Sequence, residues 1–179
     1  MTYQELIDTY YPPGTTRRVI YLRHCSQVAE LAAEIAEGKG LSLAADDIQA
    51  AAMLHDVGIV MTDAPDIDCH GSAHYLQHGL LGARLIREAG LPESWARVAE
   101  RHTGAGITND EIDEQGLPLP HGDYMPETLL ERLICYADKF YSKSGNMECK
   151  PIERVIASME RISSATLARF MALHEEFGE

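Results

Sequence analysis

Apolar residues recur along this chain every three to four positions, the period of helices buried on one face. Val28, Leu31, Ala32, Ile35 and Ala36 form one such stripe, and Gly38 and Gly40 mark its end. That helix starts near Thr15 or Thr16. Before it, Thr2 and Glu5 make a T-x-x-E capping box for a short helix that stops ahead of Pro12-Pro13-Gly14. After it, Ile48, Ala51, Ala52, Leu54 and Val57 mark a third, strongly apolar helix with Gly58 as its stop. Residues 63–72 hold Pro65, three Asp and Gly71 and read as a loop. A helix over 75–89 buries Leu81, Leu85 and Ile86, with Gly79 and Gly82 marking close packing and Gly90 ending it. Pro92 opens a helix to about His102 that turns Trp95, Val98 and Ala99 inward. Thr108 and Glu111 cap a short helix ended by Gly116. Residues 117–125 are irregular, and Pro126 opens a helix through Leu129, Leu130, Leu133, Ile134 and Ala137 to Asp138. Pro151, and then Ser163 or Ser164, start two last helices, the final one carrying Leu167, Phe170, Met171 and His174. No run of period two is long enough for a sheet. The pattern predicts an all-α bundle of seven to nine helices and, with no repeat or linker to divide it, a single domain over 1–179.

Some inward positions of these helices are ionisable, and that is where chemistry enters. His55 and Asp56 stand side by side after the apolar run Ala50-Ala51-Ala52-Met53-Leu54. Such groups are rarely buried unless paired or bound to metal. His24 lies one turn before Val28 on the core-facing side. Asp138 continues the face of Ile134, so it should point inward, and a buried Asp without a cation partner is costly. Lys139 is adjacent but should point elsewhere. His78 and His102 complete the set from two more helices. Imidazole and carboxylate together are favoured ligands of divalent iron, zinc and manganese. His70 and His74 follow the third helix and can line the mouth of a site, His121 reads as exposed, and His174 as structural.

Charge narrows the partners. With 28 acidic and 15 basic residues the formal net charge is −13. That argues against nucleic acid and against anionic membranes. A small phosphorylated substrate remains compatible, because bound divalent cations invert the local field. Cys25, Cys69, Cys135 and Cys149 show no C-x-x-C spacing, which excludes a zinc ribbon or a thioredoxin-type motif. The first residues lack a basic n-region and a long apolar run, so a reducing, cytoplasmic setting is expected.

The order His24, His55-Asp56, Asp138 on a helical scaffold resembles the signature H…HD…D of the HD-domain metal-dependent phosphohydrolase superfamily. The neighbourhoods agree. Met53-Leu54-His55-Asp56-Val57-Gly58 resembles the L-H-D-I-G segment of HDIG-type hydrolases. His78-Gly79-Leu80-Leu81-Gly82-Ala83 is similar to an H-x-x-x-G-A segment of two-metal members. Arg101-His102 resembles a later R-H or H-H segment, and Ala137-Asp138-Lys139 the A-D-K segment. The motif-bearing core is about 16–145, and 151–177 reads as a helical extension without a family motif. The resemblance implies an HD-type bundle and one or two divalent ions (Fe, Mn, Zn, Co or Ni). It implies His24, His55, Asp56 and Asp138 around the first ion, with His78 and His102 completing a second across Asp56. Asp56 and His55 are then the implied catalytic residues, and Arg23, Arg101 and Lys139 the candidate phosphate contacts. The implied activity is hydrolysis of a nucleotide-like phosphomonoester, phosphodiester or phosphoanhydride by metal-activated water. A di-iron oxygenase and a non-catalytic metal- or nucleotide-binding module are the alternatives on the same scaffold. The glycine-rich signature of cyclic-di-GMP phosphodiesterase relatives is absent, which disfavours that substrate.

Overall fold

The structure, a computed structural model, describes residues 1–178. Two helices of very different length begin the chain: the short α1 (Tyr3–Tyr10) and the long α2 (Thr16–Gly38). The first is closed by the reciprocal box in which Glu5 N–H donates to Thr2 and Thr2 N–H donates to the Glu5 carboxylate at 2.7 Å. Thr15 caps α2. Then follow α3 (Ala45–Leu54), α4 (His78–Glu88), α5 (Glu93–Arg101), α6 (Asn109–Gln115), α7 (Leu129–Asp138), α8 (Ile152–Ile162) and α9 (Ser164–Phe177). The all-α expectation therefore holds.

Four local expectations are corrected. Residues 63–72 are not all loop, because β1 (Asp63–Ala64) pairs antiparallel with β2 (Cys69–His70), Asp63 opposite His70. Two-residue strands are too short to show an alternating pattern. The helix α7 starts at Leu129 rather than Pro126, since Thr128 and Glu131 form a capping box of their own. The stretch before α4 is a separate 3-10 turn (Tyr75–Gln77). Gly58 does not stop a helix. The helix has already ended at Leu54, and a 3-10 turn (Val57–Met61) runs through Gly58. A Cβ there would lie 2.2 Å from the His78 carbonyl oxygen and 2.3 Å from the Gly82 nitrogen. The glycine is needed so that the turn after α3 can touch the backbone of α4.

Two apolar clusters fill the interior. One joins α2, α3 and α7 to α8 and α9 through Val28, Ala32, Ala52, Leu133, Ile134 and Phe170. The other joins α1 and the start of α2 to α4 and α5 through Leu6, Tyr11, Tyr21, Leu54, Val57 and Ile86. Both use α2 and α3. Tyr21 belongs to the second cluster and Val28 to the first, and His24 stands between them on the same helix. Ala50, Ala51 and Ala52 are all buried, and their small side chains let neighbouring helices approach that seam closely.

Candidate metal centre

Six buried polar residues meet at the seam: His24, His55, Asp56, His78, His102 and Asp138. His24 comes from within α2. Four of the others come from helix ends, and Asp56 follows directly on His55. His55 is the C-cap of α3, His102 the C-cap of α5, His78 the first residue of α4 and Asp138 the last of α7. Helix ends leave carbonyls without an intrahelical partner, and three of the rings use a carbonyl three residues back. His55 Nδ1 donates to Ala52 at 2.6 Å, His78 Nδ1 to Tyr75 at 2.7 Å and His102 Nδ1 to Ala99 at 2.8 Å.

Those bonds decide the chemistry. A carbonyl only accepts, so each Nδ1 carries a proton, and in its neutral form each ring presents a bare lone pair at Nε2. The Nε2 atoms face one another. His78 Nε2 and His102 Nε2 are 3.0 Å apart, and His24 Nε2 and His55 Nε2 are 3.3 Å apart. Asp56 lies between the pairs. Its Oδ2 faces His24 and His55 at 3.2 Å each, and its Oδ1 faces His102 at 3.2 Å and His78 at 3.4 Å. Asp138 Oδ1 closes the first group at 3.0 Å from His24 Nε2. The ligand atoms of His24, His55, Asp56 and Asp138 lie within 4.8 Å of one another, as do those of Asp56, His78 and His102.

Four histidine Nε2 atoms and two carboxylates converge here, and two lysine ammoniums, Lys143 on Asp56 and Lys139 on Asp138, are the cations the chain supplies to them. Both Asp56 oxygens are buried; Oδ2 has the Lys143 ammonium at 2.7 Å, Oδ1 faces only histidine Nε2 atoms, and His24 Nδ1 is buried without a hydrogen bond. The residues therefore fit a divalent metal, with Asp56 shared between two sets. Burial raises the Asp56 pKa, but the facing His55 and Lys143 outweigh it and hold the group well below the usual carboxylate range. Burial also opposes ionisation of Asp138, and Lys139 overcomes it. His78 is pushed down to about 3, by burial first and by His102 next, and His102 is lowered by burial. Both stay neutral near pH 7, the form that ligates metal. His55 behaves oppositely: burial lowers it, and the charge of Asp56 more than restores it.

The cations around the centre are not those expected. Arg23 adjoins His24 but points about 100° away, as neighbours on a helix do; it is exposed and donates to the Asn146 carbonyl at 3.2 Å. Arg101 donates to the Met125 carbonyl at 2.9 Å and pairs with Glu127 at 3.1 Å. Lys139 does not point elsewhere. It is buried, lies 2.5 Å from Asp138 Oδ2 and donates to the His102 carbonyl, so it binds two ligand-bearing helix ends together. A narrow pocket opens over His24 and Asp56 instead, lined by Arg17 and Lys143 with Tyr11, Tyr21, Ile20, Ile59, Ile67 and Cys69. Lys143 Nζ sits 2.7 Å from Asp56 Oδ2 as an ion pair. Sequence reasoning missed both cations. Lys143 lies in an aperiodic Ser/Gly segment, and Arg17 is one of two consecutive arginines.

The remaining histidines lie outside the cluster. His70 is exposed beside Asp68, His74 accepts from Leu76 N–H at the start of the 3-10 turn, and His121 is exposed beside Asp113. His174 Nδ1 shares a hydrogen bond with the Tyr136 hydroxyl at 2.9 Å within the α7–α9 packing.

Tyr11, from the segment after α1, fixes the backbone beneath Asp56. Its hydroxyl donates to the Val57 carbonyl at 3.2 Å and accepts from Val60 N–H at 3.1 Å. Its ring stacks on Tyr21 at 4.0 Å.

Residues 21–142 match the family model described as HD domain. An uncharacterized protein of Methanocaldococcus jannaschii is 34% identical over 161 residues, which cover 87% of this chain and 86% of that protein. The tRNA (cytidine(56)-2'-O)-methyltransferase of Picrophilus torridus is 33% identical over 72% of this chain. That of Thermoplasma volcanium is 27% identical over 83%. The matched regions make up only 33% and 39% of those two proteins. No solved structure gives a significant match.

Proposed function

The chain belongs to the HD-domain family, and on that premise we propose that it is a metal-dependent phosphohydrolase acting on a small, nucleotide-sized phosphate ester or anhydride. The observation that carries this reading is Asp56, fully buried, with each oxygen turned to a different pair of histidine Nε2 atoms. We assign His24, His55, Asp56 and Asp138 to one ion and Asp56, His78 and His102 to a second. Bound there, divalent ions supply Lewis acidity and a water whose pKa falls toward neutrality.

The protein's own residues do the rest. Backbone carbonyls of Ala52, Tyr75 and Ala99 lock three rings with Nε2 inward. Lys139 holds one Asp138 oxygen and leaves the other facing the cluster. Lys143 brings an ammonium to the rim, where it can hold a phosphoryl oxygen. A pocket over the ligands that carries Arg17 and Lys143 favours an anionic substrate. The complete ligand set weighs against a non-catalytic module.

A second reading comes from the two relatives named tRNA methyltransferases: work on or beside RNA. The net charge of −13 opposes an extended nucleic-acid surface. A nucleotide-sized substrate accommodates both facts.

The test is a phosphoester panel with metal-stripped protein reloaded separately with manganese, iron, cobalt, nickel or zinc. The account expects turnover of at least one nucleotide-like phosphate, abolished by chelator. Metal-loaded protein that hydrolyses nothing on the panel overturns it.

A further inference from the structure

The arginines at the start of α2 have different fates. Arg18 pairs with Asp8 at 2.7 Å and donates to the Tyr11 carbonyl at 2.6 Å. Arg17 has no ion-pair partner among the described residues, and its Nε is buried without a hydrogen bond. It lines the same narrow pocket as His24, Asp56 and Lys143. A half-buried guanidinium with no counter-ion, beside a second cation and above a metal-ligand cluster, matches a bidentate oxyanion such as a phosphoryl group.

What lies outside that pocket limits how many phosphates can follow. Lys143 also borders a wider outer groove, between the β1–β2 hairpin and residues 141–144. The other charged groups lining the groove are Asp63 and Asp66, and Ser142 and Ser144 add hydroxyls. A second or third phosphate would sit against two carboxylates. A neutral, hydroxyl-bearing body would instead donate hydrogen bonds to them.

We propose that Arg17 and Lys143 clamp a single terminal phosphoryl group, and that the substrate is the phosphomonoester of a polyhydroxylated alcohol such as a nucleoside or sugar. This rests on the hydrolase reading above and narrows it. In the reaction the oxygen of water forms a bond to phosphorus and the phosphorus–oxygen bond to the alcohol breaks. The bonding pair stays on the alcohol oxygen, which takes up one proton, and the products are the alcohol and inorganic phosphate. Arg17 orients the phosphoryl oxygens, and Asp63 and Asp66 select the body.

Two measurements test it. The first is calorimetric binding of inorganic phosphate to manganese-loaded protein, wild type against Arg17→Ala, with metal content measured on each sample. Arg17→Ala should weaken phosphate binding about 10- to 100-fold, the range for losing charge-assisted hydrogen bonds. Metal content should not change, and Arg17→Lys should recover part of the loss. Equal binding by wild type and Arg17→Ala, or a loss of metal that alone accounts for the effect, overturns the clamp. If Arg17→Ala does not fold, Arg17→Gln replaces it.

The second compares nucleoside mono-, di- and triphosphates and sugar monophosphates. The monophosphates should lead by at least about tenfold in kcat/KM, the scale of one unfavourable charge contact. The exposed Asp63→Lys, Asp66→Lys double variant should shrink that lead. Preference for triphosphates overturns the substrate class and leaves the hydrolase reading standing. No hydrolysis by metal-loaded protein that still binds phosphate through Arg17 refutes the hydrolase reading and leaves the clamp.

Discussion

Asp56 and Glu131 are both buried carboxylates at helix boundaries, and their surroundings could hardly differ more. Glu131 is 1% exposed and saturated. Arg97 donates to one of its oxygens at 2.7 Å, and Glu127 N–H and Thr128 N–H donate to the other at 2.8 and 3.3 Å. Asp56 is fully buried, has no backbone donor, and meets only the Lys143 ammonium and the Nε2 atoms of four histidines. Each carboxylate is held below its ordinary range. For Glu131 burial opposes this, and Arg97 with the two backbone donors wins; for Asp56 burial is overcome by His55 and Lys143. One acid is satisfied by the fold and finishes a helix. The other has no backbone donor and is ringed by histidines with one lysine at its edge, the surroundings of a group kept for a ligand.

Removing each acid should therefore break different things. Asp56→Ala takes away the carboxylate shared by both ligand sets. It should lower metal affinity and hydrolysis by at least about 100-fold, the upper range for groups that merely orient ligands. Circular dichroism should show helix content close to wild type. Retention of full metal content would remove Asp56 from its central place.

Gly58→Ala should come next. Its Cβ cannot coexist with the His78 carbonyl 2.2 Å away. The turn after α3 must move off α4, at about 1–3 kcal/mol for overpacking. Chemical denaturation and metal content should fall together, because the same movement separates Asp56 from His78. A neutral outcome would mean that the α3–α4 contact is loose.

Glu131→Gln should have the smallest effect on the metal centre and give the cleanest contrast. It should cost about 1–3 kcal/mol, since Arg97 loses its charged partner. Metal content per folded molecule should stay at the wild-type level. The pH dependence has a definite sign. A depressed folded pKa stabilises the protein above the unfolded value, near 4.3, and the benefit is lost as pH falls through the lower folded value. The gap between wild type and Glu131→Gln should be constant from neutrality to about pH 5, shrink below the unfolded value, and close once the pH has passed the lower folded value. A gap that persists in acid would mean that Glu131 acts through shape rather than charge.

The same contrast explains what could be read in advance. Asp56, His55, His24 and Asp138 stand out in the sequence because each interrupts an apolar helical stripe, where an ionisable group needs a reason. The boxes Thr2–Glu5 and Thr108–Glu111 were equally plain. The box Thr128–Glu131 lies behind Pro126, itself a strong start signal, so the helix start is displaced by three residues. Gly58 can be recognised as a break, but its cause is the α4 backbone, more than twenty residues away. Arg17 and Arg18 are indistinguishable as letters. Only the fold brings Asp8 to one and the Asp56 pocket to the other. Lys143 has no periodic context, and its ion pair spans 87 positions of sequence between Asp56 and itself. Long-range polar pairs leave no local trace.

The central claim is that Asp56 joins two ligand sets, and metal stoichiometry tests it most directly. Stripped wild type and a His78→Ala, His102→Ala double variant should be titrated with manganese or cobalt, with bound metal counted by elemental analysis. The account predicts two equivalents in wild type and one in the double variant, the survivor held by His24, His55, Asp56 and Asp138. One equivalent in both proteins would contradict it, and would reassign His78 and His102 from metal ligands to contacts for the substrate.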